Sequence, residues 1–210
     1  MAELRISDPV ERDDLGAFVA RAVRLDRDAI VRLRGGDGRV HAWADTPFDT
    51  LVTRSVRGAV WPTDLTVGGS DLLAAVAVDG AAVVDPGTAK DVLWRCALPP
   101  QRGWREVDRV PAEVLADLTD QGAAIARCNP GPHGSPPSVL LDHKVMTVSG
   151  AGFDVEVPLR CLFALSGMGF VGNHAAVESV RVSATDSWLR LDARYGAVLR
   201  RRHALLPLLV

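Results

Sequence analysis

A single amphipathic helix followed by several short strands is the pattern that most restricts the fold of this chain, and it recurs along the sequence. The first helix is predicted over residues 9–26, because Asp8 can cap it, Pro9 suits its first turn and Glu11 completes a capping box. Its apolar stripe has helical spacing and comprises Leu15, Phe18, Val19, Ala22 and Val23. Such a stripe must pack against another layer of structure.

The residues after this helix alternate between apolar and polar side chains, which predicts an antiparallel meander. Runs at 29–34, 39–44 and 51–57 are separated by turn-forming residues, and a strand at 64–67 leads into a helix at 72–78. The same order of elements returns later in the chain. It comprises strands near 81–84 and 91–98, a helix at 111–127, strands at 138–148 and 153–157, a helix at 159–166 and a meander at 178–202.

Two stretches of the sequence match each other at one register. Residues 64–77 and 153–165 both read as a strand, a short break and an apolar helix, which indicates an internal repeat. We therefore predict an α+β protein made of two pseudo-repeated domains, 1–104 and 105–210. Each domain is expected to pack two helices on antiparallel sheets, with the boundary near residues 99–111.

Composition excludes several classes of protein. The net charge of −2 argues against a generally basic binder of polyanions. Cys96, Cys128 and Cys161 form no C-x-x-C pair, so we expect reduced thiols without a zinc site or a disulfide. No apolar run approaches the roughly 18 residues that span a bilayer. Together with the polar N-terminus, this predicts a cytoplasmic protein with no membrane partner, and the arginine-rich, lysine-poor composition is typical of a high-GC bacterium.

The motifs that suggest catalysis are weak. Residues 167–172 match G-x-G-x-x-G, but the residues that follow alternate like strands, which does not fit a dinucleotide-binding fold. Asp142 and His143 are neighbours on a predicted strand and would point to opposite faces. Cys161 with His174 is a conceivable nucleophile and base. We predict no catalytic residue and no cofactor.

The remaining histidines and a basic run are expected on the surface. His41, His133 and His203 lack partners at metal-ligand spacing, so no metal site is predicted. The run at 200–202 suits a solvated strand end.

One predicted strand face combines basic and aromatic side chains. It carries Arg32, Arg34, Arg39, His41 and Trp43, while the alternating residues between them are apolar. Such a face can bind single-stranded nucleic acid or an acidic partner, or it can be an ordinary solvated sheet surface.

Four stretches resemble the bacterial DNA sliding clamp, the ring-shaped processivity factor of the replicative polymerase. The hairpin 37–45 reads Asp-Gly-Arg followed by an alternating strand that ends in Trp-Ala-Asp, and 148–165 is similar to a strand and helix of the last clamp domain. Residues 180–192 look like the next hairpin, and 205–210 are similar to the apolar tail. A clamp subunit has three domains and this chain has room for two. The resemblance implies a homo-oligomer around double-stranded DNA. The chain is then a trimmed relative of the bacterial clamp, or closes as a trimer like the two-domain clamps of archaea and eukaryotes, or forms no ring.

The resemblance also implies residues that contact DNA. Clamp helices line the channel, and Arg21, Arg24 and Arg27 lie opposite the apolar stripe of the first helix. Arg160 is the basic residue that the helix at 159–166 offers, and the other helices are poor in cations. An ordinary solvated helix face is the alternative interpretation of the arginine trio.

A docking groove for short apolar peptides of DNA-processing proteins is the last implication. The matching positions are Thr46, Pro47, Phe48, Leu206, Pro207 and Leu208. The alternative is that 205–210 pairs as an edge strand and packs into the core.

The sequence therefore favours a non-catalytic, clamp-like binding protein that serves as a processivity factor or docking platform. The alternative is a small-molecule binding or enzymatic α+β domain in which Arg32, His41 and Arg57 bind an anion.

Overall fold

The computed structural model describes residues 2–78, 81–128, 136–171 and 178–202. Its helices are α1 (Pro9–Leu25), α2 (Gly69–Val76), α3 (Ala112–Cys128), α4 (Ser138–Leu141) and α5 (Leu159–Gly167). Its strands are β1 (Glu3–Arg5), β2 (Ile30–Gly36), β3 (Arg39–Thr46), β4 (Thr50–Arg57), β5 (Ala59–Trp61), β6 (Asp64–Gly68), β7 (Val83–Val84), β8 (Arg105–Pro111), β9 (Lys144–Gly150), β10 (Phe153–Pro158), β11 (Ser179–Ala184), β12 (Trp188–Ala193) and β13 (Gly196–Arg201). The predicted α+β class is confirmed.

An eight-stranded antiparallel sheet runs through both halves of the chain. Its order is β6-β2-β3-β4-β13-β12-β11-β8, so four strands come from each half. The halves meet where β4 pairs with β13, with Leu51 opposite Leu199 and Thr53 opposite Ala197. This pairing, which we call the junction, gives the two halves one continuous backbone hydrogen-bond network.

The long helices cover one face of this sheet and enclose the main core. α1 packs with α2, and α3 packs with α5. Period-two alternation on β3 turns Val40, Ala42 and Ala44 into the core, where all three are fully buried. Phe18 of α1 stacks on Phe170 at 6.4 Å between ring centres.

The start of α1 shows how local sequence sets a helix boundary. Asp8 accepts a hydrogen bond from the Val10 amide at 2.9 Å, and Pro9 occupies the first turn. The expected capping box is wrong. Glu11 instead accepts hydrogen bonds from the amide and Nε of Arg57 at 3.0 and 2.8 Å, which joins α1 to β4.

Residues 94–104 form an irregular segment, which we call the strap, across the other face of the sheet. Four strap side chains pack on a small second core near the junction: Trp94, Cys96, Leu98 and Trp104. The second core itself consists of Leu51, Trp188, Ala197 and Leu199. Arginines from the sheet stack on the strap indoles, with Arg32 5.7 Å from Trp94 and Arg190 5.9 Å from Trp104. Side chains, rather than a strand ladder, hold the strap.

One edge of the large sheet is occupied. Thr66 of β6 accepts a hydrogen bond from the Lys90 amide at 2.7 Å, and its own amide donates to the Asp91 carboxylate at 2.6 Å. The other two sheets are small, with orders β5-β1-β7 and β10-β9.

Several predicted helices and strands lie where the local sequence patterns placed them, and two predicted strands do not. The first helix, the helices at 111–127 and 159–166 and the meander at 178–202 are confirmed within a few residues. The predicted strand at 91–98 is wrong, because this stretch is a 3₁₀ turn, Asp91–Leu93, followed by the strap. The predicted strand at 138–148 begins as α4 and becomes a strand at Lys144.

None of the helices in the described part of the chain combines the length and hydropathy needed to cross a bilayer.

Candidate functional site

A cleft of about 310 Å³ opens on the outer sheet face at the junction. Its floor is apolar and comprises Leu51, Trp188 and Leu199, and the strap residues Cys96 and Ala97 form one wall. Charged residues of both signs line it: Asp45, Asp49, Arg200 and Arg201. Each half of the chain contributes to this site, which we call the junction cleft.

The turn between β3 and β4 shapes one side of the junction cleft. The Thr46 hydroxyl lies 3.0 Å from the Thr50 carbonyl oxygen and 2.8 Å from the Thr50 hydroxyl, so the two threonines close the turn. Asp49 has φ of +55°, a conformation that Asp tolerates better than most residues. The turn thereby directs Leu51 onto the floor of the cleft.

Arg160 supports this turn from the core side. Its guanidinium donates to the Phe48 carbonyl oxygen at 2.7 Å, and it pairs with Asp142 at 2.7 Å and Asp49 at 3.4 Å. The Arg160 side chain is only 6% exposed. The expectation that it offers a cation to DNA on an exposed helix face is therefore wrong, because its guanidinium is buried and bound by two carboxylates and a backbone carbonyl oxygen.

The predicted groove residues lie beside the junction cleft rather than in it. Thr46 is buried, Pro47 is exposed, and Phe48 is half-buried with its ring edge-on to Phe163 at 5.9 Å. Their neighbours Asp45 and 49–51 line the cleft instead. Leu206, Pro207 and Leu208 lie outside the described residues, so the groove formed with them stays a prediction.

The three arginines of the α1 region differ in their surroundings. Arg21 is half-buried, 6.0 Å from the Tyr195 ring, and Arg24 donates to the Gly167 carbonyl oxygen at 2.7 Å. Arg27 is exposed just beyond the end of α1. The neighbouring helices carry mostly carboxylates: Asp71 on α2 and Glu113, Asp117 and Asp120 on α3, against Arg127. DNA contact by the arginine trio stays a prediction.

Burial disfavours the thiolate forms of Cys96 and Cys161. Burial and the nearby charge of Asp45 raise the pKa of Cys96 to about 11, and burial raises that of Cys161 to about 12. Cys161 therefore does not supply a thiolate nucleophile, and His174 lies outside the described residues.

Asp142 and His143 do not lie on a strand, because they link α4 to β9. Asp142 is held by Arg160 and Arg200, which fits a structural ion pair.

The structure does not bring together the three residues of the alternative anion site. Within residues 2–78, 81–128, 136–171 and 178–202, no group of three His, Cys, Asp or Glu side chains could hold a metal ion. His133 and His203 are outside those ranges. Arg32 binds Asp64 through two hydrogen bonds and Arg57 binds Glu11, whereas His41 lines a cavity on the outer sheet face.

The arrangement of helices and sheets is similar to that of solved bacterial sliding clamps. The DNA polymerase sliding clamps of Caulobacter crescentus and Bacillus subtilis give TM-scores of 0.62 and 0.61 at 14% and 13% identity. A putative DNA polymerase III beta subunit from Eubacterium rectale gives 0.61 at 11% identity. These alignments cover 97–98% of this chain but only 65–66% of the clamp chains, slightly less than two thirds. The chain has the clamp fold over a shorter length, as its sequence pattern predicted.

Comparison of the sequence with family models gives two matches. Residues 1–96 match the Domain of unknown function (DUF8010), and residues 99–205 match the Domain of unknown function (DUF8185). No curated protein matches the sequence significantly. The two matches meet within the strap, and the domain ranges 1–104 and 105–210 stay a prediction. Because the second match extends over more than half of its residues, the chain belongs to the DUF8185 family.

Proposed function

We propose that the protein acts by binding, without turnover, as a docking platform for short apolar peptide segments of DNA-transacting proteins. The observation that supports this role is the junction cleft, which combines an apolar floor with acidic and basic groups at its rim. An extended peptide can place an apolar side chain over the accessible edges of Leu51 and Trp188 while its polar groups meet the rim. The clamp fold supports this class of partner by analogy.

Contact with double-stranded DNA is a weaker second part of the proposal. It depends on the exposed Arg24 and Arg27, and so few phosphate contacts give weak, salt-sensitive binding. The carboxylates of α2 and α3 oppose it. The Lys90 and Asp91 hydrogen bonds also occupy the sheet edge at Thr66, so a homo-oligomer that forms by strand pairing would use another edge.

The docking role is tested with a fluorescein-labelled peptide that contains two leucines and a phenylalanine. Ala97 is exposed on the cleft wall, so Ala97→Trp fills the cleft without removing a contact. We expect this variant to bind the peptide at least tenfold more weakly than the parent in fluorescence polarisation, on the order of 1.4 kcal/mol.

Ala74→Trp is the matched control, because Ala74 is exposed on α2, away from the cleft. Its affinity should equal that of the parent. Peptide binding that is unchanged by Ala97→Trp, or no saturable binding to the parent, contradicts the proposal. Light scattering of the same samples measures the predicted homo-oligomer.

A further inference from the structure

A second cavity, of about 300 Å³, lies on the outer sheet face beside the other end of the strap. Its side chains come from four elements: Arg34 of β2, His41 and Trp43 of β3, Arg190 of β12, and Trp104 of the strap. The volume is at the lower end of the range for small-molecule sites. We call it the strap cavity.

Cations outnumber carboxylates in its lining. Arg34 has one ion pair, 3.3 Å from Asp64, but Arg32 already holds that carboxylate through two shorter hydrogen bonds of 2.7 and 2.8 Å. The Arg34 guanidinium donates no hydrogen bond to the residues that the structure describes, and the side chain is 41% exposed. Its guanidinium therefore keeps donors free for a ligand.

Arg190 uses only part of the hydrogen-bonding capacity of its guanidinium. It contacts a single oxygen of Asp192 through Nε at 2.8 Å and a terminal nitrogen at 2.7 Å. The other terminal nitrogen remains available, since a guanidinium has five N–H donors. Asp37 is the carboxylate in the cavity lining.

The charged groups around His41 indicate the sign of the electrostatic potential in the strap cavity. Burial lowers the pKa of His41, and the charges of Arg39, Arg190 and Arg34 lower it further, against an opposing effect of Asp37. The arginine contributions exceed the opposing one from Asp37 in number, so the cavity carries a positive potential that attracts an anion.

Two indoles supply flat apolar surface next to these cations. The Trp104 ring is held by a hydrogen bond from Nε1 to the Pro100 carbonyl oxygen at 2.8 Å and by its contact with Arg190. Trp43 stands on the neighbouring sheet surface. Aromatic faces stack on nucleobases with little dependence on base identity.

We propose that the strap cavity binds a nucleotide unit, with the base against Trp43 and Trp104 and the phosphate between Arg34 and Arg190. The unit can be a free mononucleotide or part of a single strand. Both sources present the same planar base and phosphate, and the cavity lies apart from the floor of the junction cleft.

The test is a titration of the full chain followed by tryptophan fluorescence, with adenosine 5′-monophosphate, adenosine, inorganic phosphate and a short single strand of deoxyadenylate. We expect saturable binding of the monophosphate, with adenosine and phosphate each at least tenfold weaker because each makes only part of the contacts. A single strand that binds at least tenfold more tightly than the monophosphate identifies the polymer as the ligand. Equal or weaker binding of the strand identifies the free nucleotide.

Arg34→Gln should weaken binding of the preferred ligand at least tenfold. Arg109→Gln is the control, because Arg109 is similarly exposed and paired but lies on β8. Circular dichroism of both variants verifies the fold. The proposal is overturned by the absence of saturable binding for both the monophosphate and the strand, or by equal affinities of Arg34→Gln and the parent.

Discussion

Arg160 links parts of the chain that are distant in sequence. Arg160 is charged although only 5% of the residue is exposed to solvent. The cost of burying this charge is offset because Asp142, Asp49 and the Phe48 carbonyl oxygen surround the guanidinium. Asp142 also accepts a hydrogen bond from Arg200, at 2.8 Å. One half-exposed carboxylate thus connects α5 with β13 close to the junction cleft.

Because of this network, the free energy of unfolding depends on pH in the acid range. Burial raises the pKa of Asp142, but the hydrogen bonds from Arg160 and Arg200 together outweigh burial and place the pKa below its ordinary value of 3.8. Because the pKa of Asp142 is lower in the folded protein than in the unfolded one, the ionised carboxylate stabilises the folded state at pH values above the ordinary pKa. This stabilisation is lost as the pH falls through the pKa of the folded state.

We expect Asp142→Asn to lower the free energy of unfolding by about 1 kcal/mol at neutral pH, since Asp142 is half-exposed and solvent replaces part of the lost interaction. The difference from the parent should shrink at pH values below the ordinary pKa. Urea denaturation at several pH values measures this difference.

Asp154→Asn is the control, because it removes an exposed carboxylate on β10. Its free energy of unfolding should stay close to that of the parent at every pH. A loss of stability in Asp142→Asn that does not vary with pH contradicts the ion-pair explanation.

At the scale of elements, the strap is where sequence reasoning and structure diverge most. Residues 91–98 are mostly apolar, and Trp94, Cys96 and Leu98 recur at every second position, as in a strand, because all three pack on the sheet. A strand also needs a hydrogen-bonding neighbour, and alternation does not show whether one is present. The conformation of the strap is set instead by packing of its indoles on the second core. The sequence therefore did not predict the junction cleft or the strap cavity, which the strap borders.

The elements that were predicted correctly carry their signals locally. The cap at Asp8 and the apolar stripe fix α1, and turn residues separate the strands of both meanders. The sequence also placed Arg32, Arg34, His41 and Trp43 on one strand face, opposite buried Val31 and Leu33. The inward position of Arg160 could not be predicted, because its partner Phe48 is far away in sequence.

The crossing of β9 over β8 offers a test of the packing between elements. A Cβ atom added to Gly150 would collide with the Val107 carbonyl oxygen, which is backbone and cannot move aside easily. We expect Gly150→Ala to destabilise the protein by about 1–3 kcal/mol, measured by chemical denaturation. Gly36→Ala is the control, since nothing lies within 4 Å of the added atom. Equal denaturation midpoints for the two variants would show that the crossing is looser than described.

At the scale of the whole molecule, the eight-stranded sheet ties the two matched family segments together. Separating the halves would break the backbone hydrogen bonds between β4 and β13 and expose Leu51 and Leu199. A boundary of this kind differs from a flexible linker between independent domains. We expect both halves to depend on each other for stability.

Unfolding of the full chain should therefore be a single cooperative transition. Tryptophan fluorescence reports the strap and the junction, and far-UV circular dichroism reports the helices. The two signals should give the same midpoint and slope in urea. Two separated transitions, or noncoincident curves, would mean that the halves fold independently despite the shared sheet.

The junction also sets an order of events during synthesis on the ribosome. Thr53 is made long before its pairing partner Ala197, so β4 must wait with one edge unpaired until β13 has left the exit tunnel. An unpaired edge is a template for wrong pairing between nascent chains. The interval between translating residues 50–57 and 196–201 is therefore a period in which the nascent chain presents an unpaired strand edge to its neighbours.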